Sequence, residues 1–243
     1  MKENNCDPET GICEPASLGQ PEEEREILHK DVELIYVGDP MCSWCWGISP
    51  ALKQLRDQYK PSGVDFKIVV GGLRPGGGDP WNDQMKDFLK HHWEEVNKRS
   101  GQPFGYDLFD RDSFNYDTEP ACRAAVAARP LVGEQELEFF TAIKHKFYVD
   151  SQDPGEETFY ESICQDFGID YQKFLERFKS ADVKKATHEE FVLNRNWGVR
   201  GYPCVVLRKG KDLLSVANGF ATFEQMSDQV ERLLEMDIAA AEK

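Results

Sequence analysis

The chain reads as an α/β protein whose strands lie toward its two ends, separated by a long helical block. Three observations predict this. A β-branched and aromatic run, Val32-Glu33-Leu34-Ile35-Tyr36-Val37, opens a β–α–β unit that closes at Phe66–Val70. Residues 79–197 then carry only helical periodicity. Two further strand signals and one amphipathic helix end the pattern, giving β–α–β, helices, β–β–α.

Residues 1–30 are polar and end in Glu22-Glu23-Glu24-Arg25-Glu26, a charge run of the kind found on solvated surface extensions. The first strand is bounded by Gly38-Asp39-Pro40. Apolar residues at Cys45, Ile48, Leu52, Leu55 and Tyr59 step by three and four, a helical spacing, and Pro50 should kink that helix near its start. A helical crossover to Phe66–Val70 predicts a parallel, right-handed pair. Met85, Phe88, Leu89, Trp93 and Val96 share one face of a helix over Asp83–Lys98. Asp117-Thr118-Glu119-Pro120 starts an alanine-rich helix expected to end before Pro130. Residues 134–148 form the next, with Phe139, Phe140, Phe147 and Tyr148 as its core stripe. Asp153-Pro154-Gly155-Glu156 is expected to start a helix that Gly168 stops, and two more should cover 170–180 and 182–196. Cys204–Leu207 and Leu213–Val216 flank Lys209-Gly210-Lys211 as a hairpin. Thr222-Phe223-Glu224-Gln225 is a capping box opening the last helix, through Met226, Val230, Leu233 and Leu234.

Composition removes several classes of function. Against 44 acidic residues stand 29 basic ones, a net charge of −15, and no local basic patch offsets it. Such a surface repels phosphate backbones and anionic lipid, so neither nucleic acid nor membrane is an expected partner. No segment approaches the roughly 18 apolar residues needed to span a bilayer. Met1-Lys2-Glu3-Asn4-Asn5-Cys6 has no apolar stretch behind its lysine, as a secretory signal would, so a cytoplasmic location is expected. Seven cysteines cannot all pair within one chain. In a reducing compartment unusual cysteines are catalytic, redox-sensing or metal-binding.

Cys42-Ser43-Trp44-Cys45 lies where a strand hands over to a helix. Residues three apart on a first helical turn share a face, so their sulfurs can bond. Cys42 then sits at the helix N-terminus, where unpaired N–H groups favour a thiolate, while Cys45 packs inward and stays protonated until needed. One thiol attacks and the other resolves the mixed disulfide. Gly201-Tyr202-Pro203-Cys204 precedes a strand, and proline belongs at a strand's first positions. A cis Pro203 packed against the dithiol would present Tyr202 backbone groups to an incoming peptide.

Val32–Val37, Asp39-Pro40-Met41-Cys42-Ser43-Trp44-Cys45-Trp46-Gly47, Pro50 and Gly201-Tyr202-Pro203 together resemble the DsbA-like branch of the thioredoxin superfamily, in particular its FrnE-type protein-disulfide-isomerase group. The resemblance covers about residues 32–237. It implies a thioredoxin fold, a central mixed sheet with a large all-helical insertion. The implied division is an extension (1–30), a thioredoxin-like domain (31–78 and 198–243) and an inserted helical domain (79–197). It implies Cys42 as nucleophile, Cys45 as resolving thiol and Pro203 as the cis proline facing them. Tyr202, Trp44, Met41 and Arg74 are the candidate substrate-binding residues, Arg74 as a holder of a carboxylate such as that of glutathione. No bound cofactor or metal is implied beyond the redox-active Cys42–Cys45 disulfide, with glutathione as a possible co-substrate. The expected partners are disulfide-containing proteins or small thiols. The sequence departs from the strongly oxidising members in carrying Ser43-Trp44 where they carry Pro-His. Without a cation there, Cys42 should be less acidic and the disulfide less oxidising.

Cys6 and Cys13 bracket a turn-forming segment and read either as an accessory redox pair or as an incidental pair in a polar tail; a four-thiolate zinc site with Cys42 and Cys45 would silence catalysis. Cys122 and Cys164 lie among apolar neighbours and read as buried structural thiols, and Cys204 as a small residue opening a strand that could approach Cys42. Gly71–Gly78 matches no phosphate-loop pattern and reads as a flexible approach to the helical block. His91-His92 lacks metalloprotease spacing and reads as a wet helix face. The expected activity is thiol–disulfide oxidoreductase of reductase or isomerase type. The rivals are a glutathione-dependent isomerase or transferase of the kappa-type branch, which works without a paired dithiol, and a zinc-binding or redox-sensing regulator.

Overall fold

Every residue of β1 (Val32–Gly38) is buried, which requires cover on both faces and a partner on each edge. In the computed structural model, which describes residues 31–236, β1 is central. It pairs in parallel with β2 (Asp65–Val70). On its other edge it pairs antiparallel with β3 (Cys204–Lys209), and β3 carries β4 (Asp212–Asn218) antiparallel outside it. The strand order is β2-β1-β3-β4. The register sets Val37 opposite Cys204. That pairing brings the turn after β1, where the two-cysteine motif begins, beside Pro203.

The expected kink at Pro50 takes the form of two helices, α1 (Ser43–Gly47) and α2 (Ser49–Tyr59), parted at Ile48. Pro50 sits in the first turn of α2, where its missing N–H has no intrahelical use. After β2 the helical block supplies α3 (Asp83–Ser100), α4 (Glu119–Val132) and α5 (Glu136–Tyr148). It continues through α6 (Phe159–Asp166), α7 (Tyr171–Lys179) and α8 (Ala181–Asn196). The final α9 (Phe223–Glu235) carries both capping-box bonds: Gln225 N–H to Thr222 Oγ1 at 3.3 Å and Thr222 N–H to Gln225 Oε1 at 3.0 Å.

Three local expectations need correction. Helix α4 runs through Pro130 to Val132, because a proline in the last turn forfeits only one bond before Gly133, at φ 53°, ends the helix. The helix expected from Pro154 begins only at Phe159. Asp153 Oδ1 accepts the Gly155 N–H at 2.7 Å, a local turn that competes with helix initiation. The Gly71–Gly78 segment is pinned: Gly76 N–H donates to Asp117 Oδ1 at 2.7 Å and Gly78 N–H to Asn115 Oδ1 at 2.9 Å.

The main apolar core extends from β1, α1 and α2 without interruption into α3, α4 and α5. A smaller cluster, Ile35, Val37, Val69, Cys204 and Val206, lies on the other sheet face under Trp197, Val199 and Tyr202. Arg129 ties the helical block to the sheet edge. Its guanidinium reaches Glu136 and Glu190 at 2.6 Å each and donates to Ile68 O at 3.0 Å. Arg129→Met leaves two largely buried carboxylates without their cation and is expected to cost about 2 kcal/mol in urea unfolding. A loss under about 0.5 kcal/mol would mean that solvent screens this cluster.

Candidate active site

Asp39, fully buried at the end of β1, shapes the turn that launches the motif. Its two carboxylate oxygens accept the N–H groups of Met41 at 2.8 Å and Leu73 at 2.7 Å, and burial raises its pKa. Cys42 N–H closes the turn onto Asp39 O at 3.1 Å. Cys42 is the N-cap of α1, with extended backbone, and Cys45 lies one turn further in. Both are free thiols, Cys42 at 6% exposure and Cys45 at 0%. The Tyr202–Pro203 bond is cis, and the Cys42 thiol points at Tyr202 O, 3.5 Å away. Pro203 O in turn accepts the Gly219 N–H at 2.8 Å, which draws the start of α9 toward the site.

The charges around the two sulfurs are unequal. Cys42 is raised well above the ordinary thiol range by its hydrogen bond to Cys45 and by burial. Burial would raise Cys45 too, but hydrogen bonds from Cys42 and Tyr36 and the charge of Lys144 bring it down. In the reduced pair these directions run against the expected order, in which Cys42 is the more acidic thiol. The cause is placement: buried Cys42 gives its hydrogen bond to Cys45, whereas Cys45 faces donors and a cation. Lys144 itself is lowered to about 8 by burial, with Cys45 and Cys42 holding it up.

The sequence-based candidates fall into different places. Tyr202 is half-buried, its hydroxyl donating to Gly71 O at 2.5 Å, and burial pushes its phenol up to about 12. The Met41 side chain is buried in the main core, and its carbonyl accepts from Tyr116 Oη at 2.5 Å. Arg74 is bonded to Asp79 and lies over the Tyr116 ring at 5.7 Å, so its guanidinium is already engaged. Cys204 packs on the sheet face opposite the dithiol, because strand alternation sends its neighbour Val205 to the site's side. Cys122 and Cys164 are buried and raised, Cys164 to about 12. Cys6 and Cys13 lie outside the described residues. Among the described residues no cluster of three His, Cys, Asp or Glu could hold a metal.

Trp44 has company that its own segment does not announce. Its ring lies 5.8 Å from that of Phe220, which follows β4. Arg99, in the last turn of α3, sets its guanidinium 6.0 Å from the Trp44 ring and 5.5 Å from the Phe220 ring. No carboxylate lies within 4.0 Å of it among the described residues. Arg99 and Phe220 carry no sequence signal of this meeting. Lys144 does carry one: it occupies the apolar stripe of α5, four residues after Phe140 and three before Phe147, where a cation is out of place.

A family model of the DSBA-like thioredoxin domain matches residues 33–231. Among solved structures, a candidate protein disulfide isomerase from Nitrosomonas europaea superposes with a TM-score of 0.78 at 32% identity, covering 84% of this chain and 98% of that one. The cytosolic disulfide reductase DsbM from Pseudomonas aeruginosa, solved with GSH, superposes with a TM-score of 0.69 at 23% identity, covering 84% of this chain and 100% of that one. The ClpXP adapter protein SpxH of Halalkalibacterium halodurans is 26% identical over 196 residues, 76% of this chain and 60% of that protein. The chain therefore spans about 60% of the length of the curated relatives it matches.

Proposed function

The chain belongs to the DSBA-like thioredoxin domain family, and on that premise we propose that it is a thiol–disulfide reductase or isomerase in which Cys42 attacks and Cys45 resolves. The observation that carries this reading is the placement of Cys42, the outer of the two thiols, against the Tyr202 carbonyl at 3.5 Å beside Pro203. An extended substrate segment lying along Tyr202 would bring its disulfide to that sulfur. The wholly buried Cys45 can meet only a disulfide already formed on Cys42. The raised Cys42 thiol fits a reductase or isomerase better than a strong oxidant. The cytosolic setting named for DsbM keeps thiols reduced and suits the same direction. Reduction of insulin disulfides tests the reading, and an inactive wild-type protein overturns it.

Trp44, Phe220 and Arg99 form the substrate wall. A guanidinium that meets no carboxylate among the described residues and lies on two aromatic faces fits a carboxylate close to the disulfide, as in glutathione disulfide. Arg99→Ala is expected to raise KM for glutathione disulfide roughly fivefold, worth about 1 kcal/mol, with kcat little changed. The effect on neutral hydroxyethyl disulfide should be at least threefold smaller; equal effects on both would remove the carboxylate assignment.

The name shared by the curated relatives favours a second reading, a redox-responsive adapter whose disulfide state changes a partner surface. A protein that oxidises and reduces reversibly yet turns over no disulfide substrate would support it. The kappa-type alternative has less behind it, since a paired Cys42 and Cys45 is more than that chemistry needs.

A further inference from the structure

Lys144 is wholly buried on α5, within the inserted helices, and has no carboxylate within 4.0 Å among the described residues. Its ammonium is instead fixed under the dithiol. Nζ donates to Ser49 Oγ at 2.6 Å and to Cys45 O at 3.2 Å, and Ser49 Oγ donates to that same carbonyl at 2.9 Å. Phe140 and Tyr36 lie around it, at 4.9 and 5.7 Å from ring centre to Nζ. A buried cation of this kind needs a counter-charge.

The groups able to supply one can be taken element by element. From β1, the Tyr36 hydroxyl is buried, faces Cys45 and is raised by burial and by Cys45, so it is a neutral donor. Asp39 is taken by the N–H groups of Met41 and Leu73. On α4, Glu119 pairs with Arg123; on α5 itself, Glu136 pairs with Arg129, Glu138 with Arg56, and His145 with Asp150. On α6, Cys164 is a raised, neutral thiol. What remains is the dithiol of α1, and Lys144 is bonded to the carbonyl of Cys45, the wholly buried member of the pair.

We infer that Lys144 stores the second redox-linked proton of the Cys42–Cys45 pair, carrying a charge while Cys45 is a thiolate and giving it up once the disulfide forms. The inference rests on the redox role of the pair. The balance closes on named groups. In the reduced state Cys42 is a thiol, Cys45 a thiolate and Lys144 an ammonium. Cys42 attacks a substrate disulfide, its proton passing to Cys45, and one substrate sulfur leaves as a thiolate. That thiolate takes a proton from solvent, and Lys144, having given its own proton up to solvent, takes the one on Cys45. Cys45 attacks the Cys42 sulfur, breaks the mixed disulfide and frees the second substrate sulfur, which takes a second proton from solvent as Lys144 gives one up. Two electrons and two protons reach the substrate, matching the two protons that Cys42 and Lys144 lose, and the protein is left as a disulfide beside a neutral amine. Lys144 touches the carbonyl of Cys45 and not the substrate, so it is a positioning residue. It makes an inserted helix part of the redox equilibrium.

The sign of the linkage follows. The thiols are what hold Lys144 up near 8, so their conversion to a disulfide must lower it further. The test is a pH titration of the full chain labelled with 13C at lysine Cε, followed by NMR in the reduced and the oxidised states, with Lys144 assigned by the signal missing from Lys144→Met. The expected result is a midpoint near 8 in the reduced protein and at least one pH unit lower in the oxidised protein. Equal midpoints in the two states, or a midpoint at the ordinary lysine value in both, would overturn the inference. Lys144→Met adds a second reading: its thiolate absorbance at 240 nm at pH 7 should fall about tenfold, and its equilibrium with glutathione should move about tenfold toward the disulfide. That shift should shrink above pH 9, where a wild-type lysine is neutral in either state; a shift that persists there counts against the linkage. If Lys144→Met does not fold, the wild-type titration still decides. Insulin turnover plays no part in these readouts, so failure of the proposed enzyme activity and failure of the lysine linkage are separately visible.

Discussion

Serine at position 42 is expected to lower insulin-disulfide reduction by roughly 10³-fold or more, about 4 kcal/mol of transition-state stabilisation, because it removes the only sulfur of the pair that reaches the surface. Serine at position 45 should do something different. Cys45 is wholly buried, so its loss leaves Cys42 able to attack and removes the resolving step. The Cys45→Ser protein is therefore expected to accumulate a stoichiometric mixed disulfide on Cys42 when given glutathione disulfide, visible as an adduct by mass spectrometry. Its first attack should also be slower, since Cys42 loses the neighbour that accepts its proton. Undiminished turnover in Cys42→Ser, or an adduct on any other cysteine, would overturn the assignment of roles. Glutathione should not become trapped on Cys204, which faces the opposite side of the sheet.

The elements legible in the sequence are those whose signals are local. Val32–Val37, the hairpin around Gly210 and the Thr222 capping box each declare themselves within a few residues, and each stands where the pattern puts it. The parallel pairing of β1 with β2 follows from their helical connection. The misplacements are also local, and they come from side chains that compete with the helix: Asp153 takes a backbone N–H, and Pro130 is tolerated because it falls in a last turn. The site divides the same way. Cys42 and Cys45 are singled out by their spacing at a strand-to-helix junction, whereas Arg99 and Phe220 reach Trp44 from a helix and a loop that only the fold brings together. Helix-terminus reasoning weighs the first turn alone and omits a cation that arrives from α5 and favours charge at Cys45. A lysine inside an apolar stripe was the available warning.

Trp93→Ala is expected to cost about 3–5 kcal/mol of stability, the loss typical of a large aromatic side chain removed from a packed core. Trp93 is fully buried on α3, with its ring 4.8 Å from Phe109, 5.1 Å from Tyr148 and 5.4 Å from Phe104. Tyr148 also stacks on Trp46 at 6.4 Å, and Trp46 follows Cys45 directly. A void at Trp93 therefore opens one aromatic layer below the helix of the Cys42–Cys45 pair. Trp46 Nε1 donates to Pro103 O at 2.9 Å, a second link from that helix to the segment after α3. Since the apolar core passes from the sheet into the inserted helices without a break, unfolding in urea should stay a single transition that shifts as a whole. Trp93→Phe provides the contrast. The Trp93 indole N–H is buried with no acceptor among the described residues, so phenylalanine keeps much of the packing and removes an unsatisfied donor; its expected cost is below about 2 kcal/mol. Two separate transitions in Trp93→Ala would show the helical block to be an independent folding unit. A phenylalanine variant as unstable as the alanine one would show that the indole ring's full size, and not its occupancy of the layer, holds α3 against α5.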